Sequence, residues 1–317
     1  VDFPRLYKTM RGKLPLGIAQ VGKSFRNEIA PRQSLLRLRE FYQAEIEVFC
    51  NPNNLSEVEK FSEIQDVTIR IQTDGDPVSM TCKEAVESGV VPNKLVAYYL
   101  GILTEFYEKT GIDITKSRFR KLGDKEKAFY AEVAFDFEVE TTIGWLELVA
   151  CNYRSDYDLT SHATKSKQKF EIMDGDDKVL PHVFEISMGI DRSLYTILEH
   201  SLKDDKEHER MVLALKPYLS PVHIGILSLV KKDGLKEKTD EIYLQLKRKC
   251  DAFLDHSGAI GRRYRRLDEI GSPFAITVDH QTLEDETVTI RMRDSMEQKR
   301  ISISELDSEV IQSIAYP

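Results

Sequence analysis

The chain has 317 residues, 41% apolar and 31% charged, and carries a net charge of −8. That composition belongs to a globular protein long enough for two domains. No apolar run approaches the ~18 residues of a membrane helix, and the first residues, VDFPRLYKTMRGK, lack the apolar stretch of a secretory leader. The four cysteines, Cys50, Cys82, Cys151 and Cys250, are too widely spaced for a zinc site or a disulfide framework, which fits a reducing, cytoplasmic setting.

Residues 1–50 hold nine Lys/Arg against five Asp/Glu, the kind of local basic patch an acidic chain needs if it binds nucleic acid. Within them, Gly17–Cys50 carries two period-two runs joined by the polar segment IAPRQS. In the first, Gln20, Ser24, Arg26 and Glu28 share a face, with Val21 and Phe25 opposite. In the second, Arg37, Arg39, Phe41, Gln43, Glu45 and Glu47 face one way; Leu36, Leu38, Tyr42, Ala44, Ile46 and Val48 face the other. This alternation predicts an antiparallel hairpin with one apolar face and one face of Arg and Glu. The plain reading of that polar face is a solvated surface. Read as a site, Arg26 and Arg37 offer forks for phosphate, Phe41 a ring for stacking, and Glu28 and Glu45 carboxylates for an amine.

Further along, an amphipathic helix is expected over LSEVEKFSEI and a strand over DVTIRIQT. A turn follows at Asp74–Pro77, then a packing helix capped by Asn93 and stopped by Gly111. Alternation returns in Ala128–Thr141, where Val133, Phe135, Phe137 and Val139 oppose Glu132, Asp136, Glu138 and Glu140. In GWLELVACN, period two puts Trp145, Glu147, Val149 and Cys151 on one face. Residues 162–180 read as a polar surface excursion. Val183–Met188 reads as a strand with Glu185 and Ser187 on one face, ended by Gly189. The helix after it holds Arg192 in its first turn, where a cation opposes the helix dipole unless an anion sits there.

Antiparallel neighbours on short loops place these strands in one antiparallel or mixed sheet. Pro217 and Pro221 mark a boundary, giving domains 1–215, with an inserted helical region at about 54–127, and 216–317. In the second domain VHIGILSLV, PFAITVD and ETVTIRMRD read as strands, and Lys236–Phe253 and SGAIGRRYRRLDEIG as helices. The expected architecture is α/β with a mixed, mostly parallel sheet.

FRNEIAPRQSLLRLREF resembles motif 2 of the class II aminoacyl-tRNA synthetases, and EISMGIDR resembles their motif 3. KLPLGIAQVGKSFRNEI, SDYDLTSHA, GAIGRRYRRLDEIG and RDSMEQKRI are similar to glycyl-tRNA synthetase of the dimeric archaeal and eukaryotic type. The resemblance runs in order through both domains. It implies a class II catalytic core built on an antiparallel sheet, with a C-terminal anticodon-binding domain, and a ligase using ATP, Mg²⁺, glycine and tRNA(Gly).

By resemblance, Arg26 holds the α-phosphate, Glu28 takes the adenine amine, Phe41 stacks on the base, and Arg37 and Arg192 meet the outer phosphates or the other adenine face. Glu147 matches the Mg²⁺-binding carboxylate. Glu45, Glu185 and Ser187 match glycine-binding positions, with Arg154 at the amino acid's carboxylate end. Some of Arg262, Arg263, Arg265 and Arg266, which lie on at least two helix faces, are expected to contact tRNA phosphates.

The family also carries, upstream of motif 2, a motif 1 at its homodimer interface and an RPETAQ-like glycine-binding segment. Neither is in this sequence, so dimerisation and catalysis are expected to need either a further N-terminal part or another polypeptide. A non-catalytic nucleic-acid-binding relative is the alternative, and the retained Arg26, Arg37 and Arg192 argue against it. A ligase unrelated to tRNA is argued against by the second domain.

Overall fold

A computed structural model describes residues 2–232 and 234–316, which form two compact units, 2–108 with 113–196 and 109–112 with 197–316. The first unit begins with α1 (Phe3–Thr9), β1 (Leu16–Phe25) and β2 (Glu40–Cys50). There follow α2 (Phe61–Ile64), β3 (Thr68–Gln72), β4 (Val78–Thr81), α3 (Cys82–Glu87), α4 (Lys94–Lys109), β5 (Ser117–Lys121), β6 (Val133–Thr141) and β7 (Gly144–Ser155). Then come α5 (Tyr157–Ser166), the small hairpin of β8 (Ile172–Asp174) and β9 (Asp177–Val179), β10 (His182–Gly189) and α6 (Ile190–Ser201).

Among the described residues, eight of these strands form one sheet in the order β1-β2-β10-β7-β6-β5-β3-β4. Only β3 with β5 pairs in parallel. The apolar face, with Phe135, Phe137, Val149, Cys151, Phe184 and Ile186 all buried, is covered by α4. Tyr107 of that helix stacks on Phe137 at 4.8 Å, and Tyr99 meets Phe184 at 5.7 Å.

The hairpin differs from its sequence pattern. β2 starts only at Glu40, so Arg37 and Arg39 lie in a 26–39 loop that contains a 3₁₀ turn at Ser34–Leu36. β1 is an edge strand whose Val21 and Phe25 are exposed rather than core. The alternation of 36–39 continues that of β2, but pairing ends where the Arg26 amide donates to the Arg39 carbonyl at 2.9 Å.

The helix expected over 55–64 forms only as α2. The capping box of Thr81 with Glu84, absent from the sequence reading, starts α3 instead. The 162–180 excursion holds the end of α5 and the β8–β9 hairpin.

The second unit contains β11 (Leu202–Asp205), β12 (Arg210–Leu213), β13 (Ile224–Ser228), α7 (Leu235–Leu246), β14 (Ala252–Asp255), α8 (Ile260–Ile270), β15 (Phe274–Val278), α9 (His280–Asp285), β16 (Thr287–Met292), β17 (Gln298–Ser302) and α10 (Leu306–Ile314). Its sheet runs β14-β13-β15-β16-β17, with β13 parallel to both neighbours and the remaining pairs antiparallel. The helix expected to reach Phe253 stops at Leu246, because Ala252–Asp255 pairs alongside β13. The unit begins before residue 216, since the β11–β12 hairpin packs on α8.

Behind that packing lies Asp268, fully buried. It accepts from Arg210 Nη1 at 3.1 Å and from Arg291 at 2.8 and 3.1 Å. Removing one member of such a cluster leaves uncompensated buried charge. Asp268→Ala is expected to destabilise this unit by about 3–5 kcal/mol, read as a lower denaturation midpoint. A midpoint equal to wild type would show that the cluster carries no net stability.

Candidate active site

The register of the large sheet assembles one polar face. Glu45 sits opposite Ser187 and Glu47 opposite Glu185 across β2 and β10, and Gln20 lies opposite Glu45 on β1. Across the next pair, Glu185 sits opposite Asn152 and Ser187 opposite Ala150. Strict alternation along β7 would have set Glu147 beside Val149 and Cys151. A register shift after Phe137 corrects this: Phe137 pairs with Val149, but Glu138 pairs with Glu147, leaving Leu148 as the extra residue. The bulge turns Glu147 and Trp145 onto the face of Asp136, Glu138 and Asn152, while Val149 and Cys151 stay in the core.

At one end of this face the 26–39 loop and the start of α6 form a cleft. The guanidinium of Arg26 lies 5.3 Å from the centre of the Phe41 ring. Arg37 Nε donates to Glu28 at 2.9 Å, and Arg39 Nε donates to the Glu28 carbonyl at 2.9 Å. Arg192 donates to the Leu36 carbonyl (3.2 Å) and the Glu147 carbonyl (3.0 Å), with the Glu147 carboxylate at 3.5 Å. The Tyr42 amide donates to Asp191 at 2.6 Å, fastening α6 to β2.

At the centre, Gln43 Nε2 donates to Glu45 at 3.0 Å and also to Ser187 Oγ. Asn152 donates to Glu185 at 2.9 Å. Beyond them Arg154 is ringed by carboxylates: Asp158 at 3.1 Å, Glu185 at 3.3 Å and Glu47 at 3.7 Å. Its guanidinium also lies 4.1 Å from the centre of the Tyr130 ring. Three carboxylates around one cation leave an excess of negative charge. Burial, with the neighbouring carboxylates, pushes Glu47 up to about 7 against the pull of Arg154.

The other acidic group on the face is Glu147 with Asp136 and Glu138. Glu138 is spent on Arg118 (2.6 Å) and Arg120 (2.9 Å). Asp136 is pushed up to about 7 by burial and by the charge of Glu147, against the pull of Arg120 at 3.3 Å. Among the described residues no three His, Cys, Asp or Glu side chains form a metal cage. A pair of carboxylates does suit Mg²⁺, which binds by one or two carboxylates alongside substrate phosphates.

The sequence-read residues Arg26, Glu28, Arg37, Phe41, Glu45, Glu147, Arg154, Glu185, Ser187 and Arg192 therefore converge on one face. Gln43, Asn152, Glu47 and Asp158 join them without having been assigned. Asp158 was legible as the (i, i+4) partner of Arg154. Asn152 was hidden by the bulge, which reverses the parity of its strand.

The arginine cluster of α8 does not form one surface. Arg263 is buried and donates to the Ser228 (2.7 Å) and Asp255 (3.2 Å) carbonyls, which corrects its reading as a phosphate contact. Arg266 holds Asp255 at 3.0 Å, and Arg265 donates to the His208 carbonyl at 2.7 Å. Arg262 is exposed.

Comparison with known proteins agrees with this architecture. The family described as "tRNA synthetase class II core domain (G, H, P, S and T)" matches residues 4–74, and "Anticodon binding domain" matches 223–313. The crystal structure of prolyl-tRNA synthetase from Cryptosporidium parvum complexed with L-proline and AMP superposes with a TM-score of 0.62 over 99% of this chain and 59% of that one, at 19% identity, a likeness of fold. Fold and core family model together are those of a class II aminoacyl-tRNA synthetase.

The "Glycine--tRNA ligase" of Archaeoglobus fulgidus is 37% identical over 384 residues, covering 97% of this chain and 67% of the relative. That of Methanocaldococcus jannaschii is 36% identical over 400 residues, covering 96% and 69%. The chain belongs to the glycine–tRNA ligase family. It spans about two thirds of these relatives, and the matched stretches in them are longer than this whole chain.

Because the Glu47 carboxyl holds its proton more tightly folded than unfolded, protonation favours the fold, and the advantage fades as pH rises from about 4.5 through 7. Glu47→Gln is expected to match wild type near pH 4.5 and to be more stable by about 1–2 kcal/mol at pH 8.5, allowing for partial exposure. Thermal melts at the two pH values test this; a wild type that is the more stable at pH 8.5 overturns it.

Proposed function

We propose that this chain activates glycine with ATP and passes the glycyl group to the 3′ end of tRNA(Gly), using the polar face of the large sheet. The observation that carries this reading is the sheet register. It lines up a polar centre of Gln43, Glu45 and Ser187 with Glu47 and Glu185 on one surface, flanked by an arginine-rich end carried by the 26–39 loop and α6 and by an anionic end that Asp158 of α5 completes. A nucleoside triphosphate suits the first end and an amino group the last.

In the first step a glycine carboxylate oxygen attacks the α-phosphorus, the bond to the β-phosphate breaks, and pyrophosphate leaves. In the second, a hydroxyl of the terminal ribose attacks the glycyl carbonyl, an ester forms, and AMP leaves. Neither step needs a protein nucleophile; positioning and charge neutralisation supply the catalysis.

Arg26, over the Phe41 ring, is placed for the α-phosphate, where a planar fork accepts two oxygens. Phe41 stacks the base and Glu28 takes its exocyclic amine. Arg37 and Arg192 meet the outer phosphates or the other face of the base. In the free protein these arginines rest on Glu28 and Glu147. Exposed pairs of that kind contribute about 0–1 kcal/mol, so a triphosphate displaces them at little cost. Glu147, with Asp136 behind it, would hold Mg²⁺, which when bound neutralises triphosphate charge.

Glu45 and Glu185 take the ammonium of glycine, Ser187 closes the space a methyl would fill, and Arg154 faces the carboxylate end. A crowded polar pocket rejects alanine by displacing or desolvating those groups. A homodimer in the full-length protein accords with the exposed Val21 and Phe25 of edge strand β1 and the exposed Ile29 in the loop after it. No helix among the described residues is long and apolar enough to cross a membrane, and a cytoplasmic site accords with translation. In the second unit, Arg262 is the member of the α8 cluster open to tRNA phosphates.

Glycine-dependent ATP–pyrophosphate exchange tests the reading. Exchange is expected in the wild-type protein carrying its natural N-terminal part. Arg26→Ala is expected to lose at least about 10²-fold, the scale for a transition-state donor, with an unchanged melting temperature. Retained exchange in that variant rules out the α-phosphate role. ATP binding without any exchange in the wild type points instead to a non-catalytic nucleic-acid-binding relative.

A further inference from the structure

Phe129 is 84% exposed and Tyr157 42% exposed, although both sit beside the anionic end of the sheet face. Their rings meet edge to face, with centroids 5.9 Å apart at 76°. Phe129 also meets Tyr130 at 5.3 Å and 75°. A single exposed aromatic needs no explanation. Here two adjoin a third, Tyr130, which is itself stacked on the site guanidinium of Arg154. Together they line a cleft of about 380 Å³, within the size range of small-ligand pockets. Ser155, at φ +54°, is a non-glycine residue in the left-handed region. It lets the chain turn from β7 into α5 within two residues, which sets Tyr157 at the cleft.

We propose that Phe129 and Tyr157 form a stacking platform for the unpaired 3′-terminal nucleoside of the acceptor RNA. This rests on the ligase reading above. Position supports it first: Arg154 lies between this cleft and the glycine site, with Tyr130 at 4.1 Å and the Glu185 carboxylate at 3.3 Å. A nucleoside seated here stands beside the group it must accept.

Charge supports it second. Among the described residues lining the cleft Arg154 is the one cation, and it is already shared by three carboxylates; Glu132 and Asp156 line the same space. Such a cleft repels a phosphate-flanked nucleotide. The last nucleoside of an RNA is the one with no phosphate on its 3′ side, and carboxylates accept from its ribose hydroxyls. Edge-to-face rings leave a corner in which a base stacks on one ring and abuts the other, a sequence-tolerant contact.

The test separates the two half-reactions in Phe129→Ala, Tyr157→Ala and the double variant. Glycine-dependent exchange is expected to keep its wild-type kcat and KM. Glycyl transfer to tRNA is expected to fall about 10–100-fold in the double variant, the scale of one lost base stack, and Phe129→Trp is expected to restore it where Phe129→Leu does not. The double variant should also bind intact tRNA more weakly, while binding tRNA stripped of its terminal nucleoside as well as wild type does.

Unchanged transfer in the double variant overturns the proposal, as does a parallel loss of exchange and transfer. Absence of exchange in the wild type removes the ligase reading and this proposal with it; normal exchange with unaltered transfer in the variants removes this proposal alone.

Discussion

The site depends on two irregularities in a single strand, β7. A regular strand fixes the face of every side chain by parity, and a shift of one residue reverses all that follow. The first shift, between Phe137 and Glu138 in the partner strand, keeps Glu147 out of the apolar layer that holds Val149 and Cys151. Without it a carboxylate would be buried with no counter-charge, at a cost of several kcal/mol. The second shift, at Val183 and Phe184 of β10, lets Arg154 stand between the paired residues Tyr153 and Ser155. Freed from strict alternation, its guanidinium reaches Asp158 on α5 as well as Glu185 on the sheet. One strand thus supplies a carboxylate at one end of the face and a cation at the other, each released from the ladder by a bulge.

The polarity of the face follows from where the cations are anchored. Arg26 and Arg37 are carried by the 26–39 loop and Arg192 by the first turn of α6; Arg26 lies over the Phe41 ring, and the partners of Arg37 and Arg192 are backbone carbonyls and exposed carboxylates. Such contacts are weak enough to be exchanged for phosphate oxygens. At the opposite end Arg154 is tied to three carboxylates and a ring, so it neutralises only part of the charge around it. Burial first, and then the neighbouring carboxylates, raise Glu47 to about 7 against the pull of Arg154. A zwitterionic amino acid and a polyanionic nucleotide can then occupy one continuous surface without competing for the same charge.

Much of this was legible in the sequence because period two survives wherever one sheet face is polar and the other packed. The alternation of β2 from Phe41 to Val48, of β6, and of Glu185 with Ser187 in β10 was readable for that reason. Three features were not. The bulges leave no composition signal: the extra residue is an apolar Leu148 in one and a charged Arg154 in the other. The loop before β2 mimicked a strand because Leu36, Arg37, Leu38 and Arg39 continue the pattern past the point where pairing ends. In the second unit, β14 was absorbed into the preceding helix because CDAFLD carries no Gly or Pro to separate them, and its parallel pairing with β13 defines it. The exposure of Phe129 was invisible too, since an aromatic beside β6 reads as core until burial is known.

The second unit shows why a run of basic residues is a poor guide to a basic surface. α8 presents Arg262, Arg263, Arg265 and Arg266, yet Arg263 is sealed against two strand-end carbonyls, and Arg265 and Arg266 hold protein partners. Arg210, Arg291 and Arg293 are likewise buried, bound to Asp268 or to the backbone. Guanidinium groups serve here as internal cross-links, each satisfying several acceptors at once. Each phosphate a protein neutralises steepens the salt dependence of RNA binding by roughly 0.7–0.9 in log–log slope. Arginines spent internally add nothing to that slope, so any phosphate contact made by this unit falls to its exposed basic residues, Arg248 and Arg262 among them.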